Sequence, residues 1–207
     1  MSEQVANIAP TKGNLLAEKK KLELARSGYE LLDKKRNILL RELLKYEKEA
    51  AELKKKTGDV FAAAYAALQR ANVAGGQRVE IIRSIPVDDS LKIRFRSLMG
   101  VEIPSVEYGR EVPALPPYVP QVADSFFDEA YVDFVKVKHL AAESARIEIS
   151  VARLREAVRV TVKRAEALKN VIIPETERTV AEITSILEER EREEFSRMKV
   201  IKNRKTT

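Results

Sequence analysis

Apolar side chains recur at alternating three- and four-residue steps through both ends of this chain, while Gly, Pro and strand-like alternation gather in its middle. Leu15, Leu22, Tyr29, Arg36, Leu43 and Ala50 form one heptad set, and Glu18, Ala25, Leu32, Leu39, Tyr46 and Leu53 form the other. Ten of these twelve positions are apolar or aromatic, the signature of a helix with a narrow seam. The C-terminal third repeats it: Leu140, Ile147, Leu154, Thr161 and Leu168 alternate with Ser144, Val151, Val158, Ala165 and Ile172. One stripe cannot bury itself, but two in one chain can bury each other. The expected fold is therefore dominated by α-helix: a long antiparallel two-helix coiled coil of the N- and C-terminal helices, with a short helix and a small β-hairpin between them. Leu22, Tyr29, Leu32, Leu39, Leu43, Leu154, Val158, Leu168 and Ile172 are its expected seam.

The punctuation sets the expected boundaries. Residues 1–10 read as a flexible arm, and Thr11 or Asn14 can cap the first helix, which occupies 11–57. Gly58 and Asp59 predict a break, after which Phe61 to Asn72 forms a shorter Ala-rich helix ended by Gly75 and Gly76. The middle region, 58–124, also holds the one β-rich stretch. Val79, Ile81 and Ile82 begin it, and Leu91, Ile93 and Phe95 then alternate with Lys92, Arg94 and Arg96. Met99 to Val106 offers a second strand that Pro104 confines to an edge. The segment 113–120 (PALPPYVP) reads as an extended linker. Ser125 with Asp128 resembles a helix cap, and the last helix spans 125–203, leaving 204–207 as a tail. Pro174 predicts a kink, because it removes the hydrogen bond to the Asn170 carbonyl. The stripe resumes at Val180, Ile183 and Leu187 about one residue out of phase, so a bent continuation is expected.

Composition supports helices with a thin seam. Charged residues make up 34% of the chain and aromatics 6%, with no Trp, fewer large apolar groups than a compact globule of 207 residues would use. The absence of Cys excludes disulfides and thiolate metal sites and fits a reducing compartment. The first ten residues lack the basic-then-apolar order of a signal peptide, and no apolar run is long enough to insert directly into a membrane. A net charge of +6 permits an acidic partner without requiring one.

Several residues depart from the pattern, each with a plain and a functional reading. Arg36 on the seam is either a register pin, paired with Glu143, Glu148 or Glu156, or a stem that packs while its head reaches solvent. Gly28 either admits a close approach or is a tolerated weakness costing about 1 kcal/mol relative to Ala. His139 is the single histidine and has no ligand set, which makes it a surface or seam residue. Phe126, Phe127, Tyr131 and Phe134 fall at helical spacing and belong to a core sooner than to a base-stacking platform. In Glu188 to Glu194, the pairs Glu188–Arg192 and Arg190–Glu194 support a helix with little packing. The tip then turns basic at Arg197, Lys199, Lys202, Arg204 and Lys205, either to complement the helix dipole or to meet an acidic partner. Lys92, Arg94 and Arg96 have the matching plain role of guarding a strand edge.

Catalytic motifs are missing. There is no phosphate loop, GxGxxG, GxSxG or HExxH, and one His cannot complete a Ser/His/Asp arrangement. The carboxylates are spread along solvated helix faces. These observations predict a non-catalytic chain with no cofactor and no metal. Its cations are dispersed among 32 acidic residues, which argues against nucleic acid as a partner.

Particular residues go further. Pro10-Thr11-Lys12, Asn14-Leu15-Leu16 and Gly28 through Arg36 (GYELLDKKR) resemble the N-terminal helix of the D subunits of V/A-type rotary ATPases. Val162 through Pro174 (VKRAEALKNVIIP) is similar to that family's RVNALExxxIP segment, with Ala165-Glu166 where Val-Asn is usual. Glu189 through Arg197 (EREREEFSR) resembles its closing signature, and Ser97 through Pro104 matches loosely. The resemblance covers roughly 10–45 and 155–202. It implies a central-stalk shaft, cytoplasmic and peripheral to the membrane, held in a head of A and B subunits. The small F subunit of the stalk docks alongside, and a funnel-shaped C/d-type subunit links the shaft to the membrane ring. On that reading ATP synthesis or hydrolysis is coupled to the transport of hydrogen ions or another ion. Glu188, Arg190, Arg192, Phe195, Arg197, Lys199 and Lys202 would form the bearing against the head, and Lys92, Arg94 and Arg96 would lie in a membrane-proximal β region. Arg36, Gly28 and Pro174 would set register and compliance. The competing reading is a cytosolic coiled-coil scaffold or chaperone-like clamp with no tie to an ATPase.

Overall fold

The computed structural model describes residues 8–76, 79–85, 87, 90–107 and 124–205. Its elements, in chain order, are α1 (Lys12–Gly75), α2 (Val79–Ser84), β1 (Lys92–Leu98), β2 (Val101–Glu107), α3 (Ser125–Ala167), a π-turn (Leu168–Ile172) and α4 (Ile173–Lys205). Long helices at both ends and one antiparallel hairpin between them are the expected fold class. The Pro-rich segment 113–120, most of the N-terminal arm and the last two residues lie outside the described residues. The contacts divide into two units, Met1–Asn37 with Arg159–Thr207 and Ile38–Val158.

In the unit Ile38–Val158, the second half of α1 pairs antiparallel with the first half of α3. Glu47 Oε1 accepts from Arg155 at 2.8 Å, and toward the other end Glu129 Oε1 accepts from Arg70 at 2.8 Å. Between them, Leu39, Leu43 and Tyr46 of α1, Ile147 and Leu154 of α3, and Ile103 of β2 form a buried cluster. Farther along, Ala67 and Ala71 meet Ala130 and Phe127, and Tyr65 packs edge-on against Phe134 with ring centroids 5.6 Å apart. The break expected at Gly58 and Asp59 is absent, and α1 runs through both. A single exposed glycine costs a helix only about 1 kcal/mol, and the buried row Ala64, Ala67 and Ala71 just beyond it holds the next turns in place. The strand start expected at Val79 to Ile82 is also corrected, since these residues lie in α2. Of the aromatic group expected to be core, Phe127, Tyr131 and Phe134 are half-buried, whereas Phe126 is exposed.

The hairpin closes through Met99 (φ 51°) and Gly100 (φ 80°), both in the left-handed region that a two-residue type I′ turn demands. Its register pairs Leu98 with Val101, Arg96 with Ile103 and Phe95 with Pro104. Cross-strand partners share a face. Leu98, Val101 and Ile103 therefore lie on the same face as Lys92, Arg94 and Arg96, and it is this face that packs on the helix cluster. Leu91, Ile93 and Phe95 are left exposed.

In the other unit, the pairing is again antiparallel. Lys12 Nζ meets Glu191 at 2.8 Å, Arg26 Nη2 meets Glu177 at 2.7 Å, and Lys169 Nζ lies 6.0 Å from the Tyr29 ring centroid. Of the two residues expected to be able to cap α1, Thr11 does so: its Oγ1 accepts from the Asn14 amide at 3.2 Å. At the start of α3 the capping position is Asp124, not Ser125, for the Asp124 carbonyl accepts from the amides of Phe127 and Asp128.

Pro174 leaves the chain helical. One turn before it, the Ile173 amide donates to the Leu168 carbonyl, a span of five residues that inserts one extra residue into the helix. An unshifted seam would continue through 172, 175, 179, 182 and 186. Instead Thr176 and Ile183 are buried, Ile173, Val180 and Leu187 are half-buried, and Ile172, Glu175, Glu182 and Ile186 are exposed. The π-turn is thus the physical origin of the one-residue phase shift, and it overturns the placement of Ile172 on the seam. The remaining seam residues, Leu22, Tyr29, Leu32, Leu39, Leu43, Leu154, Val158 and Leu168, are buried or half-buried.

Candidate functional site

Three regions carry side chains not consumed by packing. The first is the C-terminal part of α4. Lys12, the first residue of α1, pairs with Glu191, so the residues that follow Glu191 extend past the start of α1. Every residue from Glu188 to Arg204 is exposed. The hydrogen bond from Lys12 and its charge hold the Glu191 carboxyl below the usual carboxylate range, and the same contact raises the Lys12 ammonium. Glu188 and Arg192 approach to 3.9 Å and Glu193 and Arg197 to 3.5 Å, one helical turn apart. Arg190 donates to the Pro10 carbonyl at 3.2 Å, not to Glu194 as its spacing suggested. Phe195, Met198, Val200 and Ile201 are 53–66% exposed, an apolar content that a solvated helix tip has no use for. Lys199 and Lys202 share the same exposed segment.

The second region is the hairpin. Arg94 Nε pairs with Glu107 at 3.2 Å across the strands, Arg96 Nη2 donates to the Tyr46 hydroxyl at 3.1 Å, and Lys92 is exposed. Arg153 of α3 donates to the Glu102 carbonyl at 2.8 Å and places its guanidinium 5.3 Å from the Phe95 ring centroid. Burial works against the Arg146 charge, yet the hydrogen bond and charge of Glu143 outweigh it and raise the pKa of that guanidinium. Tyr46, Arg146 and Arg153 were not singled out from the sequence. Tyr46 stood there as one seam residue among many, and Arg146 and Arg153 fall in no motif.

The third comprises the residues expected to set register and compliance. Arg36 Nη2 bonds to Asp33 of its own helix at 2.6 Å. Glu143 is held by Arg146, and Glu148 accepts from Ser144. At Gly28 a methyl group would sit 3.8 Å from Leu168 Cδ1, an ordinary contact, so no close approach requires the glycine. Pro174 lies just beyond the π-turn. His139 is half-buried on α3.

Among the described residues there is no group of three or more His, Cys, Asp or Glu side chains able to hold a metal ion, and no helix is long and apolar enough to cross a membrane. The arrangement offers surfaces for contact.

Comparison with known proteins agrees along nearly the whole chain. Residues 14–203 match the model of the ATP synthase D-subunit family. The D subunit of the V-type ATP synthase of Thermotoga neapolitana is 41% identical over 200 residues, covering 96% of this chain and 98% of that protein. The D subunits of the A-type ATP synthases of Thermococcus kodakarensis and Pyrococcus abyssi are 32% and 33% identical, each covering 96% of this chain and 95% of the relative.

Proposed function

We propose a mechanical role for this chain, which belongs to the ATP synthase D-subunit family: it is the non-catalytic central-stalk shaft of a V/A-type ATP synthase or ATPase. The observation that carries this reading is the segment Glu188–Arg204, exposed throughout, charged on most positions, and studded with Phe195, Met198 and Ile201. Such a surface fits a sleeve that is part apolar and part polar. The A and B subunits of the head supply that sleeve, with Glu188, Arg190, Arg192, Phe195, Arg197, Lys199 and Lys202 as the bearing. The F subunit docks alongside, and the hairpin with Lys92, Arg94 and Arg96 serves the membrane-proximal end, where the C/d-type subunit joins the ion-carrying ring. The chain then works on the cytoplasmic side of the membrane as a peripheral component.

The mechanism needs no chemistry from the chain. A single asymmetric shaft within a pseudo-threefold ring meets its three catalytic sites differently, and each differential contact free energy biases one site toward a different state. Turning the shaft moves the three biases around the ring, which couples hydrolysis or synthesis to ion movement.

The test is native mass spectrometry of the complex captured gently through a tag on the N-terminal arm. One copy with an F-like subunit and a hexameric head is expected. Several copies, or recovery without ATPase subunits, would overturn the shaft and favour a coiled-coil scaffold. Truncation after Leu187 is expected to leave the unit Ile38–Val158 folded and to abolish stable retention of the head.

A further inference from the structure

Beside the hairpin lies a cavity of about 370 Å³ whose lining includes Tyr46, Arg94, Arg96, Ser105, Glu107 and Arg146. Three guanidiniums from two elements face this one space, and all belong to the unit Ile38–Val158. Each guanidinium carries five N–H donors, and the contacts given among the described residues engage one nitrogen of each. Arg94 uses Nε toward Glu107, Arg96 uses Nη2 toward the Tyr46 hydroxyl, and Arg146 uses Nη2 toward Glu143. The partner of Arg96 is a neutral phenol within the buried cluster, so that contact leaves its charge unbalanced. Glu107 offsets the charge of Arg94, and Glu143 with Glu49 offsets that of Arg146, so the attraction for an anion centres on Arg96. Planar guanidinium forks suit tetrahedral oxyanions, to which they bond in pairs, and the Tyr46 and Ser105 hydroxyls add donors of the right kind.

We propose that this cavity binds a phosphate-type oxyanion, free or at the end of a phosphorylated small molecule, with Arg96 as its principal ligand and Arg94 and Arg146 flanking it. Glu107 remains on the Arg94 Nε and leaves both Nη groups for the ligand. Tyr46 is a positioning residue, since its hydroxyl aims Arg96. The inference does not rest on the shaft reading and can fail or succeed without it.

Calorimetric titration of the full chain with pyrophosphate at low ionic strength, with chloride at matched ionic strength as control, tests it. Saturable binding at one site per chain is expected. Arg96→Gln should weaken it by about tenfold or more, the scale of a charge-assisted hydrogen-bond pair, and Tyr46→Phe by a smaller factor with the fold retained by circular dichroism. Arg178→Gln, a charge change of equal size in the other unit, should leave it unaltered. Inorganic phosphate and ADP titrated alongside separate a free anion from one carried by a nucleotide, the tighter binder naming the source. Heat that never saturates, equal binding by Arg96→Gln, or equal weakening by Arg178→Gln overturns the proposal.

Discussion

The two units bury different things. In Ile38–Val158 large apolar side chains fill much of the interior, with Ser150 the one buried polar side chain among the described residues: Leu39, Leu154 and Ile103 are at most 1% exposed and touch across three elements. In the unit formed by the two chain ends, the buried positions are Ala25, Thr161, Ala165, Thr176 and Ile183, so one large aliphatic side chain stands among small and hydroxyl-bearing ones. The ion pairs that join its two helices, Lys12–Glu191 and Arg26–Glu177, are solvent-exposed, where such pairs add little. Hydrophobic burial scales with apolar area, so the first unit is anchored and the second is held loosely along its length. A thin seam of small residues keeps helices close without locking side chains together.

The sharpest way to break this contrast is a matched truncation. Leu154→Ala empties a fully buried site and should destabilise its unit by about 2–5 kcal/mol. Leu168→Ala, at a half-buried site of the other unit, should cost about 1–2 kcal/mol, because less area is lost and solvent already reaches the side chain. Native-state hydrogen exchange, read separately on α1 residues 14–30 and 39–55, reports each unit. Equal losses at the two sites would remove the contrast.

Pro174→Ala sharpens it. If proline caused the π-turn, its removal would restore ordinary helix and rotate the following seam by about 100°. Thr176 and Ile183 would then leave the interface. The shifted stripe demands the extra residue whether or not proline is present, so the π-turn should persist in the variant, with a gain of about 1 kcal/mol from the restored donor. Deleting Lys169 is the complement: it removes the inserted residue and should convert Leu168–Ile172 to α-helix with the seam intact. Amide exchange and backbone NMR couplings across 168–174 distinguish the two outcomes.

Much of this was legible in the chain. The heptad sets located the helices and most of the seam because helix burial follows a fixed period, and Thr11 was one of two residues marked as able to cap. The alternation within β1 separated Leu91, Ile93 and Phe95 from Lys92, Arg94 and Arg96 without saying which set is buried. The two-residue turn at Met99-Gly100 places Leu98, Val101 and Ile103 on one face, and the choice of that face for burial comes from its contact with the helix cluster, which no count within the hairpin reveals. Gly58 was overrated as a breaker because distant packing by Ala64, Ala67 and Ala71 is invisible to a local rule. The phase shift near Pro174 was visible, but periodicity alone cannot say whether a bend or an inserted residue produces it. The Arg96–Tyr46 contact joins residues fifty positions apart and leaves no sequence signature.

Gly28→Ala measures how freely the loose seam accepts change. The added methyl meets Leu168 Cδ1 at ordinary contact distance and the backbone is helical, so nothing opposes the substitution. Stability should rise by about 0.5–1 kcal/mol through lower unfolded-state entropy, seen as a higher unfolding midpoint with an unchanged denaturant slope.

The smallest effect expected is at Lys12–Glu191, and it has a definite sign with pH. Glu191 is held below its ordinary pKa, so its contribution is present above the ordinary carboxylate range and is lost as pH falls through the depressed value. Lys12 is raised, so its contribution is present below the ordinary lysine value and lost only as pH climbs through the raised one. The contact should therefore persist across the neutral range and open in acid. Both groups are solvent-exposed, so the global unfolding midpoint should scarcely move. The observable is local: the excess exchange at the amides of Leu15 and Leu16 in Lys12→Gln, over the native chain, should vanish below the Glu191 transition. A difference that survives in acid would show that Lys12 acts on the first turn of α1 by a route other than its pairing with Glu191.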